Sequence, residues 1–168
     1  CDKKGDGELS KYEASKVLTI SDKFKANANI KSFRELRFFT GITSIPEAAF
    51  CESSNLFSIE IPENVEIIKS KAFNGCTSLV FIKFCGNKVE RICGGGVSVT
   101  QYASATYPNK VAKDFDISGG NGAFGDCTSL ENIQIPGSVQ IIEGSAFANC
   151  IKLKNVTFGE SSQLRVID

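Results

Sequence analysis

Apolar residues along this chain follow a long period of 23 residues rather than a local one. The dipeptide Ala-Phe occurs at Ala49-Phe50, Ala72-Phe73, Ala123-Phe124 and Ala146-Phe147, with separations of 23, 51 and 23, the middle one exceeding the period by 28. Counted from each Ala, a Leu follows at offset seven (Leu56, Leu79, Leu130, Leu153), an aliphatic residue at offset ten (Ile59, Ile82, Ile133, Val156) and an apolar one at offset twelve (Ile61, Phe84, Ile135, Phe158). Two copies continue with Pro62 and Pro136, then Val65 with Ile68 and Val139 with Ile142. Steps of three and then two fit neither an amphipathic helix nor simple strand alternation. They predict a short strand flanked by turns, with its apolar side chains in a narrow solenoid core. A single such coil cannot enclose its own apolar face, so the coils must stack.

The segments A-F-N-G-C-T-S-L, I-E-I-P-E-N-V and A-F-G-D-C-T-S-L-E-N-I-Q-I-P-G-S-V resemble the BspA-type leucine-rich repeats of bacterial surface proteins, which are also abundant in some protozoa. The likeness covers residue 33 to the end. It implies an α/β-type solenoid, a right-handed superhelix with a parallel β-sheet on one face and short helices or turns on the other. It also implies exposure at the cell surface and binding or adhesion, including to host extracellular proteins. The expected organisation is an N-terminal loop and helical cap over 1–32 and a repeat domain over 33–168. Within it, repeats lie near 49–71, 72–94, 123–145 and 146–168, and the insertion spans 95–122. Leu36, Phe39, Ile42 and Ile45 recur at intervals of three and predict an atypical first coil, as expected of a terminal repeat that closes an open core. The chain opens on Cys1 rather than methionine and stops where another Ala-Phe would approach, so it is expected to be a processed or truncated piece of a longer array unless a ragged last coil caps itself.

Asp2 to Glu13 read D-K-K-G-D-G-E-L-S-K-Y-E, close to a twelve-residue EF-hand loop. Asp2, Asp6 and Glu13 fall on the first, fifth and twelfth positions and Glu8 supplies the position-seven carbonyl, a hard-oxygen set suited to calcium. Lys4 puts a cation where the third ligand belongs. The competing reading makes Ser10-x-x-Glu13 an ordinary capping box that starts a helix over 12–18, with the Lys4 ammonium in the place of the metal. The stretch also resembles the EF-hand-like lead-ins that precede some of these repeat arrays. No cofactor is required by the sequence; calcium is the one ion the loop could take.

Strand residues between the inward apolar ones are expected to face solvent in two columns, Ser58, Phe81, Asn132 and Asn155, then Glu60, Lys83, Gln134 and Thr157. Parallel strands display side chains in register, and solenoids use such surfaces to bind partners. Phe81 is the one apolar member and the expected hot spot. The insertion begins and ends in glycines, Gly94-Gly95-Gly96 and Gly119-Gly120-Asn121-Gly122, expected to give the positive φ angles needed to leave and rejoin the solenoid. Between them a β-hairpin is predicted, with Tyr102 and Tyr107 either projecting as contact anchors or folded back on the flank.

Seven cysteines accompany no histidine, which removes Cys-His and Ser-His nucleophile pairs and His-ligated zinc. Cys76, Cys127 and Cys150 share offset four, a packing position for a small side chain that tolerates burial. Cys85 and Cys93 are the pair to test for a disulfide. Lys+Arg 19 against Asp+Glu 19 lacks the basic surplus that nucleic acid demands, and no apolar run reaches the ~18–20 residues of a membrane span. The functional expectation is therefore a non-enzymatic, extracellular or cell-surface protein that binds a protein or glycan partner. A calcium-binding structural module of a larger surface protein is the alternative.

Overall fold

A computed structural model describes residues 10–20, 24–95 and 122–167. Its strands are β1 (Ser32–Phe33), β2 (Ser44–Ile45), β3 (Ser58–Ile61), β4 (Ile67–Ile68), β5 (Phe81–Phe84), β6 (Arg91–Ile92), β7 (Asn132–Ile135), β8 (Ile141–Ile142), β9 (Asn155–Phe158) and β10 (Val166–Ile167). One short helix, α1 (Lys11–Ser15), and a 3-10 helix (Arg34–Phe38) complete the described elements. Every ladder is parallel, and pairing joins equivalent positions of successive coils: Ser58 with Phe81, Ile59 with Ile82, Glu60 with Lys83 and Ile61 with Phe84.

The chain therefore forms a solenoid of about five turns, as the repeat implies. Away from the longer strands each coil is made of turns, as expected, and a second sheet is added to them. The two-residue strands build a second parallel sheet in the order β10-β8-β6-β4-β2, and it runs unbroken across the insertion because Arg91 pairs with Ile141 and Ile92 with Ile142. Two residues per coil are too few to leave a periodic trace in the sequence. The register steps by 23 on the first face, Ser58 to Phe81, but by 24 on the second, Ile67 to Arg91, so one of the 28 extra residues belongs to the corner of the coil itself.

The core is the inward side of the repeat. Leu56, Leu79 and Leu130 are fully buried, as are Ile61, Ile135, Val65 and Val139. The third side of each coil is a turn layer built on Ala-Phe, where the phenylalanine rings stack along the solenoid. Phe50–Phe73, Phe73–Phe124 and Phe124–Phe147 each lie 5.2 Å apart at 5–7°. Phe24 extends this column, 5.3 Å from Phe50 at 17°, although no Ala precedes it and its spacing is 26. The first coil therefore begins upstream of residue 33, inside the segment assigned to the cap.

Offset four does more than pack. The thiols of Cys76, Cys127 and Cys150 donate to the carbonyls of Phe50, Phe73 and Phe124 at 3.1, 3.3 and 3.1 Å. In the preceding coil Ser53 holds the same offset, and its hydroxyl donates to Phe24 O at 2.6 Å. Each coil thus satisfies a carbonyl of the coil before it with a small donor, which a buried backbone acceptor requires.

The N-terminal end is covered by α1 and the segment after it. Ala14 and Ile20 are buried, and Gly41 lets this segment approach: a Cβ there would lie 2.5 Å from Val17 O and 2.7 Å from Ser15 O. The helix is shorter than the predicted 12–18 and starts on a capping box. Glu13 N donates to Ser10 Oγ at 3.2 Å, while Ser10 N donates to Glu13 Oε2 at 3.0 Å.

Candidate functional site

The outer surface of the longer strands divides into two blocks. β1, β3 and β5 form one sheet and β7 with β9 another; β5 and β7 lie side by side without a ladder between them. On the second block the expected columns face outward as anticipated. Asn132, Gln134, Asn155 and Thr157 are exposed, and Asn155 Nδ2 donates to Asn132 Oδ1 at 2.6 Å across the register.

On the first block the columns split. Phe81 and Lys83 are exposed, but Ser58 and Glu60 are buried, at 4% and 8% exposure. The cover is the atypical first coil, which the repeat pattern does not encode. Ser32 Oγ lies 2.8 Å from Ser58 Oγ, and Arg37, on the 3-10 helix, donates from Nη1 to Glu60 Oε2 at 2.8 Å. Ser58 and Glu60 are thus parts of the coil-to-coil contact rather than of an open surface. Their place beside Phe81 is taken by Phe57, which the columns omit because it precedes the strand. It is 45% exposed against 56% for Phe81, and the two rings meet edge to face, centroids 5.2 Å apart at 69°.

The electrostatics centre on Glu60. The hydrogen bond from Arg37 holds its carboxyl below the usual 4.5 against the opposing effect of burial, with the charges of Arg37, Lys83 and Arg34 acting in the same direction; the Arg37 guanidinium is raised in turn by that bond. A carboxyl depressed in the folded state adds stability that is complete above its unfolded pKa and lost as pH falls through the folded value. Wild-type thermal stability is accordingly expected to drop more steeply than that of Glu60→Gln as pH is lowered below about 4.5, with the two curves furthest apart near neutrality. Equal acid slopes in unfolding melts would show that the pair contributes nothing.

The remaining groups are structural. Burial pushes the Cys76 thiol up to about 12. Cys127 is likewise raised, first by the neighbouring Cys150 thiol and then by burial, whereas Cys150 is lowered by Cys127 against the opposing effect of burial. Cys85 donates to Glu60 Oε2 at 3.8 Å from the end of β5, and it is not joined to Cys93, which follows β6 on the other sheet. A shallow polar cleft of about 300 Å³ includes Glu66, Asn87 and Ser138, and Ser138 is tied down within the fold: its N donates to Asn87 Oδ1 at 3.0 Å and its Oγ to Val89 O at 2.8 Å.

Of the expected calcium ligands, Asp2, Asp6 and Glu8 lie outside the described residues, as do Tyr102 and Tyr107. Glu13 is buried, and its Oε2 also accepts from Ser10 Oγ at 2.7 Å, so this oxygen is committed to the helix start. Among the described residues no group of three acidic or sulfur side chains could hold a metal ion, and no helix is long and apolar enough to cross a membrane.

Two solved structures resemble this chain. A leucine-rich cell surface protein from Faecalibacterium prausnitzii A2-165 is 27% identical over 73% of this chain and 31% of its own, with a TM-score of 0.41. A leucine-rich repeat protein from Bacteroides ovatus ATCC 8483 is 22% identical over 73% of this chain and 34% of its own, with a TM-score of 0.40. The chain thus spans about a third of the length of each. No curated protein matches the sequence. The model of the BspA type leucine-rich repeat region, in six copies, matches residues 13–116 and 117–167. With its period, its parallel coils and this match over nearly all of its length, the chain belongs to the BspA type leucine-rich repeat family.

Proposed function

We propose that this chain is a non-enzymatic, surface-displayed binding module that docks a protein partner on the outer face of β5 and the residue that leads into β3. One observation carries the reading: Phe57 and Phe81 form an exposed aromatic pair on a sheet face whose other outward residues are polar. Exposed rings held by a rigid ladder lose little conformational entropy on binding, and aromatic anchors supply most of the affinity at interfaces. The family supports display and binding: its repeats stack to make extended surfaces rather than enclosed pockets. The absence of histidine from the sequence leaves its thiols and hydroxyls without the usual base partner.

The test is surface plasmon resonance of the immobilised chain against purified extracellular matrix proteins, with a glycan array run in parallel. At least one protein is expected to bind, and Phe57→Ser with Phe81→Ser should weaken it tenfold or more, the loss of a hot spot of at least about 1.4 kcal/mol. Binding unchanged by the double variant would remove this face from the interaction, and binding on the array alone would replace the protein partner with a glycan. Deleting 97–118 reads the contribution assigned to Tyr102 and Tyr107.

A further inference from the structure

We propose that the partner segment seated on Phe57 and Phe81 is an extended acidic peptide, with an apolar side chain against the rings and carboxylates on either side of it. The inference rests on the preceding reading of the face and adds the chemistry of what binds there. Charge in this chain sums to zero, yet it is unevenly placed around the aromatic pair. Lys83 is two residues along β5 from Phe81, so their side chains leave the same side of the strand about 7 Å apart. At the other end Phe57 N donates to Lys31 O at 2.7 Å, which places exposed Lys31 in the neighbouring coil beside Phe57. Arg34 and Arg37, on the 3-10 helix, act with Lys83 on the single carboxylate of Glu60, whose register partner on β5 is Lys83.

Among the described residues, Arg37 is the one cation ion-paired with Glu60. Lys83 and Arg34 are exposed and form no ion pair among the described residues, and Glu35 is the further acid acting on Arg37. Four cations therefore meet Glu60 and Glu35, with exposed Glu131, at the position equivalent to Phe57 in the coil after Phe81, as a third carboxylate. Crowding is greater still at the end of the block, where the Lys11 ammonium and the Arg37 guanidinium both lie over the Phe38 ring, each 4.7 Å from its centroid. An incoming carboxylate lowers the repulsion among these groups and is steered to them before contact. The shape of the apolar part favours a peptide over an acidic sugar. Rings set at 69° form a corner that takes a branched aliphatic side chain, whereas a pyranose needs a flat platform on which to lie.

The probe is a fluorescein-labelled decapeptide of alternating Glu and Leu, compared with Gln/Leu and Lys/Leu versions, followed by fluorescence anisotropy. The Glu/Leu peptide is expected to bind at least about tenfold more tightly than the Gln/Leu peptide, and its advantage should shrink severalfold between about 25 and 250 mM NaCl. Lys83→Glu and Arg34→Glu, both at exposed positions, should each reduce Glu/Leu binding while leaving Gln/Leu binding in place; circular dichroism melts check that both variants fold. Equal affinity for the Glu and Gln peptides, with loss of both in Phe57→Ser/Phe81→Ser, would overturn the acidic specificity while sparing the aromatic seat. Indifference to the aromatic substitutions would overturn both readings. A heparin fragment that competes with the Glu/Leu peptide for Phe57 and Phe81 would give the site to an acidic glycan instead.

Discussion

Replacing Phe73 by alanine is expected to lower the unfolding free energy by about 4 kcal/mol, the scale of a large aromatic removed from a closed core. Phe73 is fully buried in the middle of the ring column, with Phe50 and Phe124 each 5.2 Å away, so the substitution removes two stacked contacts as well as the transfer term. The position matters for a second reason. Solenoid stability is a sum of coil terms and nearest-neighbour interfaces, so a break at one interface divides the molecule. The interface between the Ala72 and Ala123 coils lacks the β5–β7 ladder; it is held by the β6–β8 pairs, by turn-layer bonds such as Phe73 N to Ala123 O at 2.7 Å and Gly75 N to Gly125 O at 2.9 Å, and by the Phe73–Phe124 stack. Loss of the stack should therefore turn a single urea transition into two, with the coils after residue 122 unfolding first. Far-UV circular dichroism reads both effects. A loss under about 1.5 kcal/mol in one transition would mean that neighbouring side chains refill the space and that the column is not the main link at this interface.

The parts of this molecule that were legible in the sequence are those each coil repeats. Ala49, Ala72 and Ala123, the Leu positions after them, and Ile59, Ile61, Ile133 and Ile135 are buried because like coils meet like neighbours, so periodicity is enough to assign them; Ile82 and Phe84 of β5, which has no ladder to β7, are partly buried. In the last copy Leu153 is half-buried and Val156 and Phe158 are 44% and 39% exposed, since β9 has a strand on one side only. What the period hid depends on contacts made once. Glu60 occupies an outward position like Lys83, yet it is buried because Arg37 of the nonrepeating first coil closes over it. Phe24 joins the aromatic column from a segment with the wrong spacing and no Ala. Ser53 was recoverable: it stands at the offset of Cys76, Cys127 and Cys150, and a hydroxyl replacing a thiol points to a hydrogen-bonding role rather than a packing one. Phe57 was visible as an aromatic next to a strand, but only the ring geometry with Phe81 distinguishes it from the buried phenylalanines.

Gly122→Ala is expected to destabilise the protein by about 2–3 kcal/mol, the range for forcing atoms into a filled interior, and to loosen the last coils selectively. The sequence suggests that glycines at the feet of the insertion supply positive φ. Among the described glycines only Gly75, at φ 71°, has that conformation, so Gly94 and Gly122 are required for a different reason. They mark a close approach of backbones. A Cβ on Gly122 would lie under 3.0 Å from Ser145 O and from the Cα and N of Ala146, and one on Gly94 would meet Gly144 O and Glu143 in the same way. Apart from the Glu143 Cβ these atoms are backbone, and none can swing aside as the end of a long side chain would. Admitting the methyl requires the two coils to part, which strains Gly122 N to Ser145 O at 3.1 Å, Phe124 N to Ala146 O at 2.8 Å and Asp126 N to Ala148 O at 2.8 Å. Gly75→Ala is the control that separates the two explanations. There the new Cβ has 3.5 Å of room beside Glu52, and the cost is the left-handed backbone alone, about 1 kcal/mol. Hydrogen exchange should show faster opening at Phe124 and Asp126 in Gly122→Ala than in Gly75→Ala. If both variants melt together and exchange alike, the coils have slack at the base of the insertion, and its glycines are not what lets the chain leave and rejoin the stack.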